Sequence, residues 1–573
     1  MPLIHKLPRW VQDYQRNNLA GDVIASIIVA LLLIPQGLAY AQLAGLPPMA
    51  GLYASIGPLL VYGFVGTSMP QSVGPMAITS AMTAAALTPL ATAGSPHYLI
   101  LAATLTLLSG LILTGLGLLK LGQITRILSL PVVQGFSAGT ALLIALGQTG
   151  SLLGTKWQGD TLPKLLQHLP SALAQLKPGT MILGVIGLLL LWLAGSERLS
   201  QHFARLRLPI KPELFSKILP LIMLCLLASM INWLNLTQYS KTLGPLPSAA
   251  FDLQSINLNS EALSNLLAPA LLIGLAGFLQ SITVAQQIAS HKQQYIDPNR
   301  ELLALGHCNL AAALFGGMPV SGGFSRTVVN SNAGAHTPLA GILSALWLVL
   351  ALWMLLPYLA YLPQPLLAAT IILATTKMIS WQQFRKAWHF DRRDGTAWIM
   401  TFAGVLLTGP MLGIAIGIGI ALLMYLLRSQ QPHIAVVGRV PNSEHYRNVL
   451  RFQVETQPDI LAIRIDENLY FANINQILEK INQQLANHPE TKHLVLILSA
   501  VNSIDYSALN ALQSWHNTLK TMHIELHLAE VKGPVLDTLL HGDLLSELSH
   551  PPFISTHAAM QTLALSCDSD YTI

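Results

Sequence analysis

GGMPVSGGFSR, residues Gly316–Arg326, is the stretch on which the reading of the whole chain turns. It lies in a long apolar region: between Glu301 and Lys377 the only charged residue is Arg326. A lone charge at bilayer depth costs roughly 2.5–3.5 kcal/mol or more, so such a residue usually faces a cavity and works there. Pro319, Gly322 and Gly323 precede it. They break one helix and allow another to start. A helix that begins inside a membrane aims its unpaired N–H groups and positive dipole end at whatever lies in front. With one guanidinium added, the stretch reads as an anion cradle. The plainer alternative is a kinked helix with a snorkelling arginine. Snorkelling side chains, however, sit near helix ends, close to other charges.

Outward from this stretch the chain stays apolar. Of its 573 residues 52% are hydrophobic and only 10% charged, against about 25% charged in a soluble domain. No charge occurs between Asp22 and Lys120, room for several spans at about 20 residues each. Further charge-free windows cover 127–155, 178–196, 218–240, 262–291 and 395–427. From Ser429 onward the composition changes, with 8 Lys/Arg and 15 Asp/Glu, against 23 and 11 before it. The chain is thus a basic membrane part joined to an acidic soluble part. The basic residues lie in short loops, as membrane orientation requires, so nucleic-acid binding is not indicated. Cys225, Cys308 and Cys567 are scattered without metal or redox spacing, so no metal or cofactor is expected. No GxxxxGK[ST] phosphate loop and no converging nucleophile set occur, which argues against a pump or an enzyme.

A second interruption, Ser72-Val73-Gly74-Pro75, restarts a helix about 250 residues before the first. Interrupted segments at matching places in two halves point to an inverted-repeat transporter with its site between them. Fourteen segments are expected, two of them half-length: 22–44, with a break near Pro35-Gln36-Gly37, 47–66, 74–87, 97–118, 129–150, 179–195, 215–236, 265–289, 300–315, 322–332, 338–356, 363–378, 395–408 and 411–428. Gly51, Gly57, Gly63 and Gly66 give the second the small-residue pattern of close helix packing. With the N-terminus inside, thirteen loop cations fall inside and four outside, as the positive-inside rule requires. The even span count then puts the C-terminal part in the cytoplasm too. The N-terminal segment 1–21 is polar and basic, a cytoplasmic leader with a possible interfacial helix rather than a cleavable signal. In the last part, strands are expected over Ile460–Asp466, His493–Ser499 and Ile524–Glu530, with helices over Asn473–Ala486 and Ser507–Lys520, an α/β pattern.

Several motifs together resemble the sulfate permease (SulP) family over nearly the whole chain. They are IPQGLAYAQLAGLPPMAGLYAS (34–55), SVGP (72–75), IDPNRELLALGHCN (296–309) and GGMPVSGGFSRTVVNSNAGAHTPLAGI (316–342). AVNSIDYSALNALQSW (500–515) is similar to the STAS domain that follows such transporters. The resemblance implies a membrane domain, 22–428, of two seven-segment inverted repeats with core and gate subdomains. It implies a STAS domain over 439–566, a tail at 567–573, a homodimer in the plasma membrane among lipids, and elevator-like movement. Carried over residue by residue, the anion site falls at Gln36, Tyr40, Gly74, Met76, Gly323, Phe324, Ser325 and Arg326. Backbone N–H groups, the Gln36 amide, the Ser325 hydroxyl and Arg326 offer only donors to an oxyanion such as sulfate or bicarbonate. Alternatives stay open for each: Gln36 satisfying a broken backbone, Tyr40 and Met76 packing, Ser325 bonding back to its own helix.

Two departures stand out. In GLAGFLQSITVAQQIA (274–289) many family members carry an acid where this chain has Gln280. Gln cannot titrate, which counts against proton symport and a sodium site there and favours exchange, uncoupled flux or coupling by a displaced group. Asp505 is followed by Tyr506 rather than by the phosphorylatable serine of related anti-sigma antagonists, so no phosphoswitch is expected. The STAS part reads as a dimer-stabilising or protein-binding module. Sulfate is the first substrate expected, with bicarbonate or a dicarboxylate as the alternative and an exchanged or co-transported ion left open. An anion sensor signalling through the STAS part is the reading from a different class.

Overall fold

Fourteen helices coincide with the fourteen expected segments. They are α1 (Leu19–Leu43), α2 (Pro48–Val65), α3 (Ala77–Leu87), α4 (Pro96–Leu118), α5 (Leu130–Leu153), α6 (Pro178–Ala194), α7 (Pro212–Trp233), α8 (Ser260–Lys292), α9 (Pro298–Phe315), α10 (Phe324–Asn332), α11 (Leu339–Leu359), α12 (Gln364–Thr376), α13 (Arg392–Thr408) and α14 (Pro410–Ser429). The computed structural model describes residues 8–122, 129–155, 157, 159, 161–196, 212–234, 241–244, 256, 259–292, 294–315, 317–376, 378–430 and 432–569. Of the loop cations used for orientation, Arg126, Lys156, Arg198, Arg205, Arg207, Lys211 and Lys377 lie outside these, as does Gly316.

Local chemistry sets the ends. Ser95 caps α4 by accepting from Tyr98 N, with Pro96 at the first position, and Asp391 caps α13 by accepting from Arg393 N at 2.8 Å. Gly154 stops α5 at φ +75°, a conformation glycine takes without strain. Among the described residues six helices are individually long and apolar enough to cross a membrane. Large apolar side chains cover the outside, Trp353 at 80% exposure and Trp192 at 60%. Such a surface calls for lipid rather than water.

The helix pairs repeat with a shift of seven. α1 packs on α11 and α10, as α8 packs on α4 and α3; α2 packs on α11, as α9 packs on α4. These eight form one group. α5 packs on α13 and α12, and α12 on α6, in a second. α14 lies against α13, with Gly413 facing Val405 and Gly417 facing Thr401. This is the packing pattern of an inverted repeat with core and gate parts.

Three features differ from the sequence reading. α1 runs unbroken through Pro35. Proline forfeits one hydrogen bond, which a helix packed on its neighbours tolerates. Here Gly37 meets Gly51 of α2 so closely that a side chain at Gly51 would overlap the Gly37 carbonyl. Two amphipathic helices, Leu162–Ala174 and Trp381–Phe390, were not expected. The first joins α6 at a bend of 120°. Among the described residues of the N-terminus, Arg9–Gln12 and a 3-10 turn at Arg16–Asn18 are helical; the rest of the expected leader, residues 1–7, lies outside the described residues.

Two buried acids pin helix ends. Asp22 accepts from His336 N (2.8 Å), Thr337 N (3.1 Å) and Thr337 Oγ1 (2.6 Å). Glu301 accepts from Thr67 N (2.7 Å), Thr67 Oγ1 (2.6 Å) and the Tyr62 hydroxyl (3.0 Å). Each oxygen of both carboxyl groups meets at least one donor, the condition for burying them. Cys308 is buried, its Sγ 3.4 Å from Pro58 O, and Cys225 is exposed.

Packing divides the chain into two units, Met1–Ala421 and Leu422–Ile573. The second holds a five-stranded sheet in the order β4-β3-β5-β6-β7. The strands are β3 (Ile434–Arg439), β4 (Tyr446–Asn448), β5 (Ile460–Ile465), β6 (His493–Ile497) and β7 (Glu525–Ala529). β5, β6 and β7 run parallel, and β3 is antiparallel to both neighbours. The helix Ile474–Asn487 buries Ile474, Ile477, Leu478, Ile481 and Leu485, one face at helical spacing. Asp505 accepts from Ala508 N at 2.8 Å and caps Tyr506–Thr521. β5, β6, β7 and both helices match expectation, whereas β3 and β4 were missed. The second of these, YRN, has no apolar alternation and is a strand only because β3 lies beside it.

Candidate functional site

The two interruptions are paired to one another. Val73–Gly74 (β1) and Ser321–Gly322 (β2) form a two-stranded antiparallel sheet, Val73 opposite Gly322 and Gly74 opposite Ser321. Broken helices expose backbone groups that must find partners in an apolar interior. The sheet supplies some, and neighbouring side chains the rest. Gly323 N donates to Ser72 O at 3.0 Å, and Ser72 N to Thr327 Oγ1 at 3.2 Å. Asn309 of α9 brackets Val320, accepting from its N–H at 3.0 Å and donating to its carbonyl at 3.1 Å. Asn330 Nδ2 donates to Pro70 O at 2.8 Å. From α8, Gly277 O accepts from Ser321 Oγ at 2.5 Å, and Ser281 Oγ is bonded to Gln71 Nε2.

From this crossing α3 and α10 depart. Their N-cap residues are Met76 and Gly323, and neither supplies a capping side-chain bond. The first helical bonds are Ser80 N to Met76 O and Thr327 N to Gly323 O, each 2.9 Å. The N–H groups of Ala77, Ile78 and Thr79, and of Phe324, Ser325 and Arg326, therefore have no acceptor in their own helices. Two positive dipole ends leave one small sheet.

Arg326 is 2% exposed. Its Nη1 donates to Pro75 O at 2.9 Å and to Gln36 Oε1 at 3.3 Å. Nε and Nη2 are buried without a hydrogen-bond partner among the described residues. The group lies over the two glycines of the crossing. A Cβ at Gly323 would come within 2.8 Å of Nη2, and one at Gly74 within 3.4 Å. Gln36 is half-buried. With its carbonyl oxygen held by Arg326, its NH2 group is left as the free end. Tyr40, one turn further along α1, is buried at 7% exposure. Met76 is half-buried, Ser325 is exposed, and Phe324 is 51% exposed. The Ser325 hydroxyl has no hydrogen-bond partner among the described residues, so it does not bond back to its helix. Gln36 serves Arg326, not broken backbone.

The expected residues thus divide. Gln36, Gly74, Gly323 and Arg326 share contacts at the crossing. Tyr40, Met76, Phe324 and Ser325 follow on the same helices, and Phe324 and Ser325 are open. Sequence reasoning missed the Pro75 carbonyl, Thr327, Asn330 and Asn309. A signal existed for three of them: Thr327 and Asn330 lie on the turn after Arg326, and Asn309 ends one of the quoted motifs. Gln280 of α8, one turn beyond Gly277, is 9% exposed, and its Oε1 has no partner among the described residues.

Fold and site together define a two-repeat membrane transporter carrying a C-terminal α/β domain. Residues 19–401 match the model of the sulfate permease family, and 451–560 that of the STAS domain. The chain belongs to the sulfate permease family; its relatives are transporters, not enzymes. It is 30% identical to "Probable sulfate transporter 4.2" of Arabidopsis thaliana, across 96% of this chain and 82% of that protein. It is 31% identical to a probable sulfate transporter of Mycobacterium tuberculosis, across 95% of each. Among solved structures, SLC26A9 superposes with a TM-score of 0.86 at 20% identity, covering 99% of this chain and 94% of that one. The transmembrane domain of the cyanobacterial bicarbonate transporter BicA does so at 0.61 and 21%, covering 71% and 98%. At such identities these two share the fold.

Proposed function

We propose that the protein is a secondary transporter of an inorganic oxyanion, sulfate first, moved by elevator-like displacement of the core helices. The anion binds between the N-termini of α3 and α10. One observation carries this reading: a buried guanidinium stands between two uncapped helix N-termini, and among the described residues two of its nitrogens have no partner and no carboxylate is bonded to it. The free NH2 of Gln36 and the Ser325 hydroxyl add donors, Tyr40 and Met76 wall the site, and Phe324 stands at its open side. The relatives named as sulfate transporters support the choice of anion. The membrane domain spans 22–428 and the STAS domain 439–566, both termini lie on the cytoplasmic side of the plasma membrane, and the chain forms a homodimer.

Gln280 occupies the coupling position without a titratable group, so transport runs as exchange or uncoupled flux. The test is uptake into proteoliposomes of labelled sulfate, bicarbonate and succinate, side by side, under imposed pH, sodium and counter-anion gradients. Sulfate uptake with little proton dependence is expected, and Gln280→Glu should introduce such dependence. Failure to move any of the three anions would exclude the transport reading. Strong proton-driven uptake by the native protein would exclude the role given to Gln280.

Gly323→Ala tests the seat of the guanidinium at constant charge. Gly323 has φ −84°, which alanine adopts freely. The cost is therefore confined to the Cβ, which would meet Nη2 at 2.8 Å and Cζ at 2.9 Å. The variant is expected to fold and to bind sulfate at least about tenfold more weakly, as a shift of roughly 1.4 kcal/mol implies. Native-like binding in a titration of the purified variant would show that the guanidinium position is immaterial.

A further inference from the structure

The STAS unit carries a histidine cluster that transport leaves unused. β6 and β7 are parallel, His493 opposite Glu525 and Val495 opposite His527. Side chains two residues apart in a strand share a face, so Glu525 and His527 stand on one side of β7, beside His493. Their ligand atoms converge. His493 Nδ1 lies 3.2 Å from His527 Nε2, and Glu525 Oε2 lies 3.6 Å from each of these nitrogens. A hydrogen bond between two neutral imidazoles accounts for the first distance. It does not account for a carboxylate oxygen equidistant from both nitrogens and beyond hydrogen-bond reach.

A metal accounts for all three. Zinc bonds of about 2.0–2.1 Å in tetrahedral geometry set ligand atoms about 3.3 Å apart, close to the observed triangle. Two imidazoles and one carboxylate suit zinc and disfavour magnesium or calcium, which take oxygen ligands. We propose that His493, Glu525 and His527 form a zinc-binding site on the STAS domain, with water in the fourth position. Access and support both exist. The Glu525 side chain is 54% exposed and that of His493 15%, while that of His527 is fully buried. Behind His527 stand the rings of His550 at 5.7 Å and Phe553 at 6.2 Å. Ser549 Oγ donates to Glu525 Oε2 at 3.3 Å, the kind of outer contact that orients a ligand. Zinc on Nε2 leaves the His527 proton on Nδ1, which is buried without a partner among the described residues; the metal bonds outweigh that loss. The ligands come from two strands some thirty residues apart, so their spacing matches no metal motif and residue order carries no signal for the site. Bound zinc would tie β6 to the edge strand β7, to which Phe553 is also bonded through Phe553 N to Leu528 O at 2.8 Å.

The test uses tag-free full-length protein in detergent, stripped with a chelator and titrated with Co(II). One equivalent per chain is expected, with the strong visible absorption of tetrahedral cobalt, displaced by Zn(II). Glu525→Gln and His493→Gln should each weaken cobalt binding by at least about tenfold, since loss of a direct ligand exceeds that of an outer-shell partner. His488→Gln, at an exposed histidine elsewhere on the domain, should leave the titration unchanged. No tetrahedral absorption, or native titrations in both ligand variants, would overturn the assignment. The Glu525 side chain is largely in solvent, so failure to fold does not confuse that arm.

Discussion

Arg326→Ala is expected to lower sulfate affinity by at least about 100-fold, near 3 kcal/mol. That is the range for losing a buried, charge-assisted donor whose partners remain in place. The variant loses the positive charge and also releases Pro75 O and Gln36 Oε1, both held by Nη1. Gln36 can then turn its carbonyl oxygen toward the anion, which repels it. Arg326→Lys separates the two effects. It keeps a charge but cannot hold two acceptors in a planar fork while leaving further donors free, so only partial binding should return. Arg326→Met gives the opposite sign in anion-free buffer. A buried cation without a counter-charge burdens the unliganded fold, and an apolar side chain of similar length should raise its melting temperature. The readouts are isothermal titration with sulfate and thermal melting with and without it. If Arg326→Ala binds sulfate within about threefold of native, the guanidinium is not the anion's partner.

Asn309→Ala is expected to destabilise the membrane unit by about 3 kcal/mol. The side chain makes three buried bonds, to Val320 N (3.0 Å), Val320 O (3.1 Å) and Leu305 O (2.9 Å). Truncation strands the Val320 N–H and C=O in the interior, at about 1–3 kcal/mol for each unsatisfied group. Val320 directly precedes β2, so the damage falls on the crossing itself. A melting temperature several degrees below native is expected, together with a weakened response to sulfate. Asn309→Asp should not restore stability, because a carboxylate can accept from Val320 N but cannot donate to Val320 O. An alanine variant that melts like the native protein would mean that β1–β2 pairing alone holds the crossing.

Not everything at the site follows from its motifs. Thr327, Asn330 and Asn309 lie within the quoted motifs but carry no charge that marks a role, yet they satisfy the backbone that the interruptions expose. Pro75 contributes through its carbonyl, which no residue preference signals. Gln36 was expected beside the anion, but its bond to Arg326 spans 290 residues. That bond decides which end of the amide is free.

From residue order alone one can read fourteen segments, the two interruptions, the lone intramembrane cation and the acidic α/β tail. In a membrane the first three depend on local composition, because charges are excluded and backbone groups must pair within the segment; the tail is read from its change of charge and its alternating strands and helices. Tertiary structure alone decided that α1 runs straight through Pro35, because packing against Gly51 compensates for one missing bond. It alone paired Val73–Gly74 with Ser321–Gly322 and seated Arg326 over Gly74 and Gly323. It likewise created β4 beside β3 and drew His493, Glu525 and His527 together. The reason is the same in each case. These contacts join residues far apart in the chain, and their energy exists only once two elements have been brought within bonding distance.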